Sequence, residues 1–145
     1  MSQDRPISGL PQQIDDLHQR AIAAAQNAYA PYSHFRVGAA LLLQNGEIVT
    51  GSNVENASYR LTTCAEQNAI VAAVTLHGPA IRIRVVVVAN LNHTASQPCG
   101  ACRQTIYEFS TPATEVFYPS EDGTLAHSKI DDLLPGAFRL RTDNL

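Results

Sequence analysis

The chain has 145 residues, of which 45% are hydrophobic and 16% charged, and its formal net charge at pH 7 is -3. These values predict a compact globular protein with a sizeable core and exclude a disordered tail. A slightly acidic chain also lacks the basic surface that a nucleic-acid partner needs, so a small neutral ligand is favoured over DNA or RNA.

The N-terminal segment does not have the pattern of an export signal. It has no basic stretch followed by a long apolar core, and no stretch approaches the roughly 18 uninterrupted apolar residues of a membrane span. The cysteines are odd in number and two of them form a CxxC pair, which is more typical of reduced metal ligands than of disulfides. We therefore expect a cytoplasmic protein with no membrane partner.

The first part of the chain predicts a helix and a hairpin. Residues 1–10 show no periodicity and are expected to be a flexible lead-in to a single domain over 11–145. Apolar residues at helical spacing predict a helix over about 11–29. Apolar runs at 37–43 and 48–53 flank an Asn-Gly pair, which predicts two antiparallel strands.

The remainder alternates helices and strands. Residues 64–76 predict a buried helix, and the valine run in 82–90 predicts a central strand buried on both faces. A second helix is expected over 100–109. Three weaker elements follow, namely strands at 114–118 and 125–127 and a short helix at 130–134. This order favours an α/β domain with helices packed on a mixed sheet.

Three cysteines and one glutamate form the most informative pattern. Cys64 is followed after a long interval by the pair Cys99 and Cys102. Thiolate is a preferred zinc ligand, and a catalytic zinc keeps three protein ligands and an open position for water. Glu66 lies two residues after the first ligand, where it can take a proton from that water and return it to a substrate. The pattern therefore predicts a hydrolytic zinc site.

Both groups of ligands lie at predicted helix N-termini, where free N–H groups and the helix dipole lower the pKa of a thiol. Two alternatives remain at this point. The cysteines could be free buried thiols, or His93 could close the zinc shell as a fourth ligand and make the site structural.

Five segments carry a further pattern: APYSHFRVGAALL, GSNVENASY, TCAEQNA, PCGACRQ and LLPGAF. Together they cover about residues 29–138 and resemble the cytidine deaminase family, in particular its small homotetrameric branch. The resemblance implies a three-layer fold in which a mixed five-stranded sheet carries helices on both faces. It also implies one zinc per chain, bound by Cys64, Cys99 and Cys102, and the conversion of free cytidine and deoxycytidine to uridine and deoxyuridine in pyrimidine salvage.

The resemblance also implies residue roles in the reaction. Water activated by the metal attacks C4 of the pyrimidine, while Glu66 takes the water proton, delivers it to ring N3 and assists the departure of ammonia. The backbone N–H of Cys64 or Ala65 contacts the oxygen that forms on C4. These roles agree with the placement of Glu66 beside the first ligand.

Three upstream residues are candidates for substrate binding. Asn53 and Glu55 are two apart in an extended segment, so their side chains face the same side and could grip a sugar hydroxyl. Phe35 stands at the entry to the first strand, where a flat aromatic ring could stack on a pyrimidine. The resemblance assigns the first two to the ribose 3'-hydroxyl and Phe35 to the base. From the residues alone, Asn53 and Glu55 would be polar residues at the end of a strand, and Phe35 would be a phenylalanine packed in the core.

The resemblance also implies sites completed between subunits. Phe138 is expected to enter a neighbouring subunit's site, and Ala57 and Tyr59 to contribute across the same interface of a homotetramer. From the residues alone, Phe138 would instead pack at the C-terminal end of the core.

One position departs from the family pattern, because Gln67 stands where most small cytidine deaminases have arginine after the CAE motif. The amide can donate a hydrogen bond to a thiolate but supplies no positive charge, which leaves Arg103 as a possible neutraliser. We hypothesise that zinc is more electron-rich here and the rate lower.

Three other functions fit part of the pattern. Blasticidin S deaminases share the CAE and PCGxC motifs, a zinc-stapled interaction module would need the cysteines alone, and a polynucleotide editor would share the chemistry. Glu66 argues against the second, and the acidic charge against the third.

Overall fold

A computed structural model describes residues 10–140 of the chain. Its first elements are α1 (Leu10–Ala25), β1 (Val37–Leu43), β2 (Ile48–Ser52), α2 (Ala65–His77) and β3 (Ile83–Asn90). They are followed by α3 (Gly100–Glu108), β4 (Ser110–Pro119), β5 (Leu125–Lys129) and α4 (Ile130–Leu133). The expected lead-in lies outside the described residues except for its last position, which begins α1. Within 10–140, no helix has the length and apolar character needed to cross a membrane.

The strands form one mixed sheet in the order β2-β1-β3-β4-β5. β1 runs antiparallel to both β2 and β3, and its hairpin turn contains Gly46 at a φ of 92°. β3 and β4 are parallel, and β5 returns antiparallel to β4. The valine run of β3 is buried at the centre of the sheet. The predicted hairpin, central strand and mixed sheet are therefore confirmed.

Helices cover both faces of the sheet, as the resemblance implied. On one face, α1 packs on a small core made of Leu17, Ala21, Ala40, Leu42, Val85, Val87 and Ala89. On the other face, α2, α3 and α4 pack on a larger core that includes Ala39, Leu41, Ile70, Val86, Val88, Ile106 and Ile130. Successive side chains of β1 and β3 alternate between these two cores, as a strand requires.

Two glycines let the helices approach the hairpin closely. A Cβ atom at Gly51 would lie 2.4 Å from the backbone nitrogen of Ala69 and 2.7 Å from the carbonyl oxygen of Ala65, both in α2. A Cβ atom at Gly38 would lie 1.9 Å from the carbonyl oxygen of Ala21 in α1. The first turn of α2 is thus held directly against the backbone of β2.

Two predicted boundaries are wrong. α1 ends at Ala25 rather than near residue 29, because Tyr29 is drawn into a bridge in which its N–H donates to Asn53 and its carbonyl accepts from Glu55. β4 begins at Ser110, four residues earlier than expected. There the buried Thr114 hydroxyl donates to the carbonyl of Ile83 at 2.6 Å, which supports the strand through a register shift.

Candidate metal centre and active site

The three cysteines converge at the N-termini of two helices. Cys64 is the N-cap residue of α2, Cys99 is the N-cap residue of α3, and Cys102 lies in the first turn of α3. The Sγ atoms of Cys64 and Cys99 are 3.9 Å apart, and those of Cys99 and Cys102 are 3.5 Å apart. All three sulfur atoms lie within 4.8 Å of one another.

These distances fit a single zinc ion. A zinc–sulfur bond of about 2.3 Å in tetrahedral geometry places ligand sulfurs about 3.8 Å apart. In the described part of the chain the cluster consists of the three cysteines alone, so His93 is not a fourth ligand. His93 instead lines, together with His18, a separate cavity of about 370 Å³ beside α1. A fourth position for water therefore remains at the cysteine cluster.

The thiols of Cys64 and Cys102 differ in pKa. The pKa of Cys64 falls to about 7, mainly because the Cys102 thiol donates a hydrogen bond to its sulfur, while burial and the charge of Glu66 oppose the fall. The pKa of Cys102 is raised by the same hydrogen bond and by burial. In the metal-free protein, Cys64 thus ionises more readily than Cys102.

Glu66 is a buried carboxyl group beside this cluster. It lies in the first turn of α2, and only 5% of its surface is exposed. Burial raises its pKa above the ordinary value of 4.5, and hydrogen bonds from its own backbone and from Cys102 offset this only in part. A carboxyl group with a raised pKa can both accept and return a proton near neutral pH.

Comparison with known proteins assigns this centre to a family. The family model for the cytidine and deoxycytidylate deaminase zinc-binding region matches residues 11–118. The chain belongs to this family. A cytidine deaminase of Halalkalibacterium halodurans is 43% identical over 122 residues, which cover 84% of this chain and 91% of that protein. A probable cytidine deaminase of Dictyostelium discoideum is 45% identical over 124 residues, covering 83% and 82% of the two chains.

Solved structures of relatives share the fold of this deaminase. The cytidine deaminase of Burkholderia pseudomallei superposes with a TM-score of 0.78 at 42% sequence identity, covering 86% of this chain and 98% of that one. The enzyme of Mycobacterium tuberculosis gives a TM-score of 0.75 at 37% identity, covering 87% and 97%. The expected fold and the zinc cofactor of the family are therefore both confirmed for this chain.

Gln67 forms a capping box with Cys64 at the N-terminus of α2 in this deaminase. Its side-chain Oε1 atom accepts a hydrogen bond from the backbone N–H of Cys64 at 3.3 Å, while its own backbone N–H reaches the Cys64 side chain. The Cys64 N–H is therefore already engaged. Of the two backbone N–H groups expected to contact the reacting oxygen, the Ala65 N–H therefore stays the candidate.

Arg103 braces the loop that carries the CxxC pair. Its guanidinium donates to the carbonyl of Pro98 at 2.8 Å, to the carbonyl of Leu133 at 2.9 Å and to the side chain of Gln97 at 2.7 Å. All three partners are neutral oxygens, so its positive charge is retained next to Cys102. This contact also ties the zinc loop to α4.

The three expected substrate residues meet at one segment, residues 32–37. The Asn53 amide donates to the carbonyl of Phe35 at 2.8 Å and accepts from the N–H of Val37 at 2.9 Å. The Glu55 carboxylate accepts from the backbone of Tyr32 at 2.9 Å and from the hydroxyl of Ser33. The latter bond is the main reason that the pKa of Glu55 is lowered. Both side chains thus bond to the same segment of their own chain.

The sequence pattern did not single out Asn92, although it contacts the same segment. Its amide donates to the carbonyl of His34 at 3.0 Å and accepts from the N–H of Arg36 at 3.1 Å. These partners are 58 and 56 positions away in sequence. Only the asparagine-rich composition of the loop after β3, which is typical of turns, hints at a structural role.

The residues expected to act between subunits lie on the surface of the described chain. Tyr59, in a short 3-10 turn, is 79% exposed, Phe138 is 67% exposed, and Ala57 is also exposed. The segment that carries Phe138 rests on α3, where the Gln104 amide donates to the Phe138 carbonyl at 3.4 Å. The alternative that Phe138 packs in the core of its own chain is therefore wrong.

Proposed function

We propose that this protein catalyses the hydrolytic deamination of free cytidine and deoxycytidine, with Cys64, Cys99 and Cys102 as zinc ligands. The observation that carries the proposal is the buried Glu66 beside three sulfur atoms within 4.8 Å of one another. A structural zinc site has no use for a buried acid with a raised pKa, whereas hydrolysis does. The cytidine deaminases named above support the choice of substrate.

The chain's own residues then move the protons. Zinc, when bound, supplies a Lewis acid that lowers the pKa of water at its open position. Glu66 accepts one proton of the attacking water and passes it to ring N3 as the water oxygen bonds to C4. It carries the second proton to the amino group, so that the C4–N bond breaks and ammonia leaves. The Ala65 N–H would donate to the new oxygen on C4.

The substrate is held by the segment around residue 35. Phe35 offers a half-buried ring to the face of the pyrimidine, and the Asn53 and Glu55 side chains bond to the segment that carries it. Their amide and carboxylate supply the donor and acceptor that a ribose 3'-hydroxyl needs. Binding the sugar there would require them to share hydrogen-bonding capacity now used by the backbone of residues 32–37.

The test is the ultraviolet absorbance of cytidine in the presence of the zinc-loaded protein. We expect absorbance to fall with release of one ammonia per nucleoside, and the Glu66→Gln variant to retain zinc but lose nearly all turnover. Zinc-loaded wild-type protein that leaves both cytidine and deoxycytidine unchanged would contradict the proposal. Blasticidin S assayed in parallel distinguishes a different nucleoside substrate from an inactive zinc site.

We further propose a homotetramer whose sites are completed by Phe138, Ala57 and Tyr59 of neighbouring subunits. Support comes from the large apolar side chains left exposed on the described chain, which include Tyr59 and Phe138, two of the three residues expected to act between subunits. These exposed side chains are Tyr29, Tyr32, Val54, Tyr59, Leu61, Val71, Leu76, Phe138 and Leu140. A second copy of the chain is the partner that would cover them.

Mixed subunits test this arrangement directly. Glu66→Gln and Phe138→Ala subunits should each be nearly inactive alone. When they are refolded together, a site with an intact Glu66 can receive an intact Phe138 from its neighbour, so activity should exceed the sum of the two separate variants. A monomer in light scattering, or mixed activity equal to that sum, would contradict the proposal.

Finally, we propose that the protein works in the cytoplasm, as a single catalytic domain. A reducing compartment keeps thiols available as zinc ligands. Preservation of the zinc site depends on this condition, since Cys64 and Cys99 are accessible to oxidants.

A further inference from the structure

The segment that leads from His34 into β1 is contacted on its two edges by asparagine side chains. Asn53 bridges the carbonyl of residue 35 and the N–H of residue 37. Asn92 bridges the carbonyl of residue 34 and the N–H of residue 36. Each asparagine thus binds one carbonyl and one N–H of the segment, beside the backbone bonds in which the Leu91 N–H donates to Arg36 and the Asn53 N–H donates to Val37.

The residue before Phe35 adopts an unusual backbone conformation. His34 has a φ of 60°, in the left-handed region that residues other than glycine rarely adopt. Such a conformation persists only where surrounding contacts hold it. Two contacts hold His34: its N–H donates to the carbonyl of Ala30 at 3.0 Å, and its carbonyl accepts from Asn92.

Asn92 lies in a loop that is held by hydrogen bonds of its own. The Asn90 side chain accepts the N–H groups of Asn92 at 3.0 Å and Thr94 at 3.3 Å, and its amide donates to the carbonyl of Thr94 at 2.8 Å. The Thr94 hydroxyl donates to the carbonyl of Asn92 at 3.1 Å. The loop is therefore pre-organised, and it continues directly to Cys99.

We infer that Asn92 is a positioning residue for substrate binding, which holds His34 in the left-handed conformation and so sets the direction in which Phe35 faces the pyrimidine. The inference rests on the proposed role of Phe35. Asn92 makes no contact with the substrate in this account; it acts by fixing the backbone on both sides of the aromatic ring. It also links the base-binding segment to the loop that carries two zinc ligands.

The first test separates binding from chemistry. In the zinc-loaded enzyme, Asn92→Ala should raise KM for cytidine roughly tenfold, since two backbone hydrogen bonds are lost, while kcat and zinc content stay within about twofold of wild type. Asp122→Ala is the matched control, because Asp122 makes the same kind of bond to the N–H of Thr124, at 3.0 Å, in the β4–β5 turn. That variant should leave KM unchanged.

Two double variants test the route through residues 34 and 35. If Asn92 acts through the ring, adding Asn92→Ala to Phe35→Ala should change kcat/KM by less than about twofold. If Asn92 acts by holding His34, then adding His34→Gly to Asn92→Ala should reverse most of the rise in KM, because glycine adopts a positive φ without strain. Equal losses in both backgrounds, or no recovery by glycine, would overturn the inference.

Amide hydrogen exchange tests the same contact without any substrate. The Arg36 N–H, which donates to Asn92, should exchange at least tenfold faster in Asn92→Ala than in wild type, whereas Asp122→Ala should leave it unchanged. Faster exchange in a protein that does not deaminate cytidine would locate the failure in the proposed function. Unchanged exchange, or faster exchange with an unchanged KM in the active enzyme, would overturn the role of Asn92.

Discussion

Replacing Gly51 by alanine should displace the catalytic end of α2. The added Cβ atom would lie 2.4 Å from the Ala69 nitrogen, about 1 Å short of the 3.4 Å at which ordinary contact begins. It would also lie 2.7 Å from the Ala65 carbonyl oxygen. Both atoms are backbone, so neither can rotate away. The helix must move outward by a large fraction of an ångström, and it carries Glu66 in its first turn.

The expected effect is larger on catalysis than on stability. Overpacking of this kind costs roughly 1–3 kcal/mol, which leaves most of the protein folded at 15 °C. A displacement near 1 Å at a catalytic group can lower the rate on the order of 100-fold. We expect kcat per zinc-loaded subunit to fall by about that factor in Gly51→Ala, measured by cytidine absorbance and normalised to the folded fraction from circular dichroism.

Gly38→Ala provides the matched control on the opposite face of the hairpin. Its Cβ atom would meet the Ala21 carbonyl oxygen at 1.9 Å, which is a more severe overlap, but the helix it displaces is α1. We expect this variant to lose at least as much stability and far less kcat per folded subunit. If Gly51→Ala loses no more kcat than Gly38→Ala, the argument that β2 positions the first turn of α2 is refuted.

Three further outcomes follow from the site. In metal-free protein, Glu66→Gln should melt at a higher temperature than wild type at pH 8, and this difference should close as the pH falls to about 4.5. The reason is that the folded protein raises the pKa of Glu66 above the ordinary pKa of 4.5 and so favours the neutral carboxyl group. The stability that wild type has below pH 4.5 is therefore lost as the pH rises through the pKa of Glu66 in the folded protein. A gap that widens towards acid pH would contradict this. Gln67→Arg should increase turnover several-fold by adding a positive charge beside Cys64, and an unchanged or slower variant would count against an electron-rich zinc. Chelation should abolish deamination and lower the melting temperature, with one equivalent of zinc restoring both; activity that survives removal of the metal, verified by elemental analysis, would exclude the zinc mechanism.

The features that the sequence predicted correctly depend on neighbours in the chain. The Asn45-Gly46 turn fixes the hairpin because Gly46 adopts a positive φ that few other residues accept. The valines of β3 mark a central strand because only a doubly buried strand accepts apolar residues on both faces. The Cys64 and Glu66 spacing likewise gives a ligand and an acid in one helical turn.

The features that it missed depend on contacts between distant segments. The early end of α1 results from backbone pairing between Tyr29 and residues 53–55, for which helical periodicity contains no information. The bracing of the zinc loop by Arg103 requires the Leu133 carbonyl to lie nearby, which only the packing of α4 against α3 provides. Spacing arguments predicted the helix in the first case and the cysteine ligands in the second, but not the contacts that end the helix and support the ligands.

The position of the ligands in the chain has a consequence for biosynthesis. Cys64 is placed by the β1–β2–α2 portion, whereas Cys99 and Cys102 lie in the crossover that joins the parallel strands β3 and β4. During translation the first thiol therefore emerges well before the other two, and because β1 pairs with β3 and a domain generally folds as a unit, the site is assembled only once the later strands are available. Stable capture of zinc must await the second half of the chain, and the ion then cross-links the two halves. A nascent chain stalled before residue 99 should bind zinc no better than a single cysteine does.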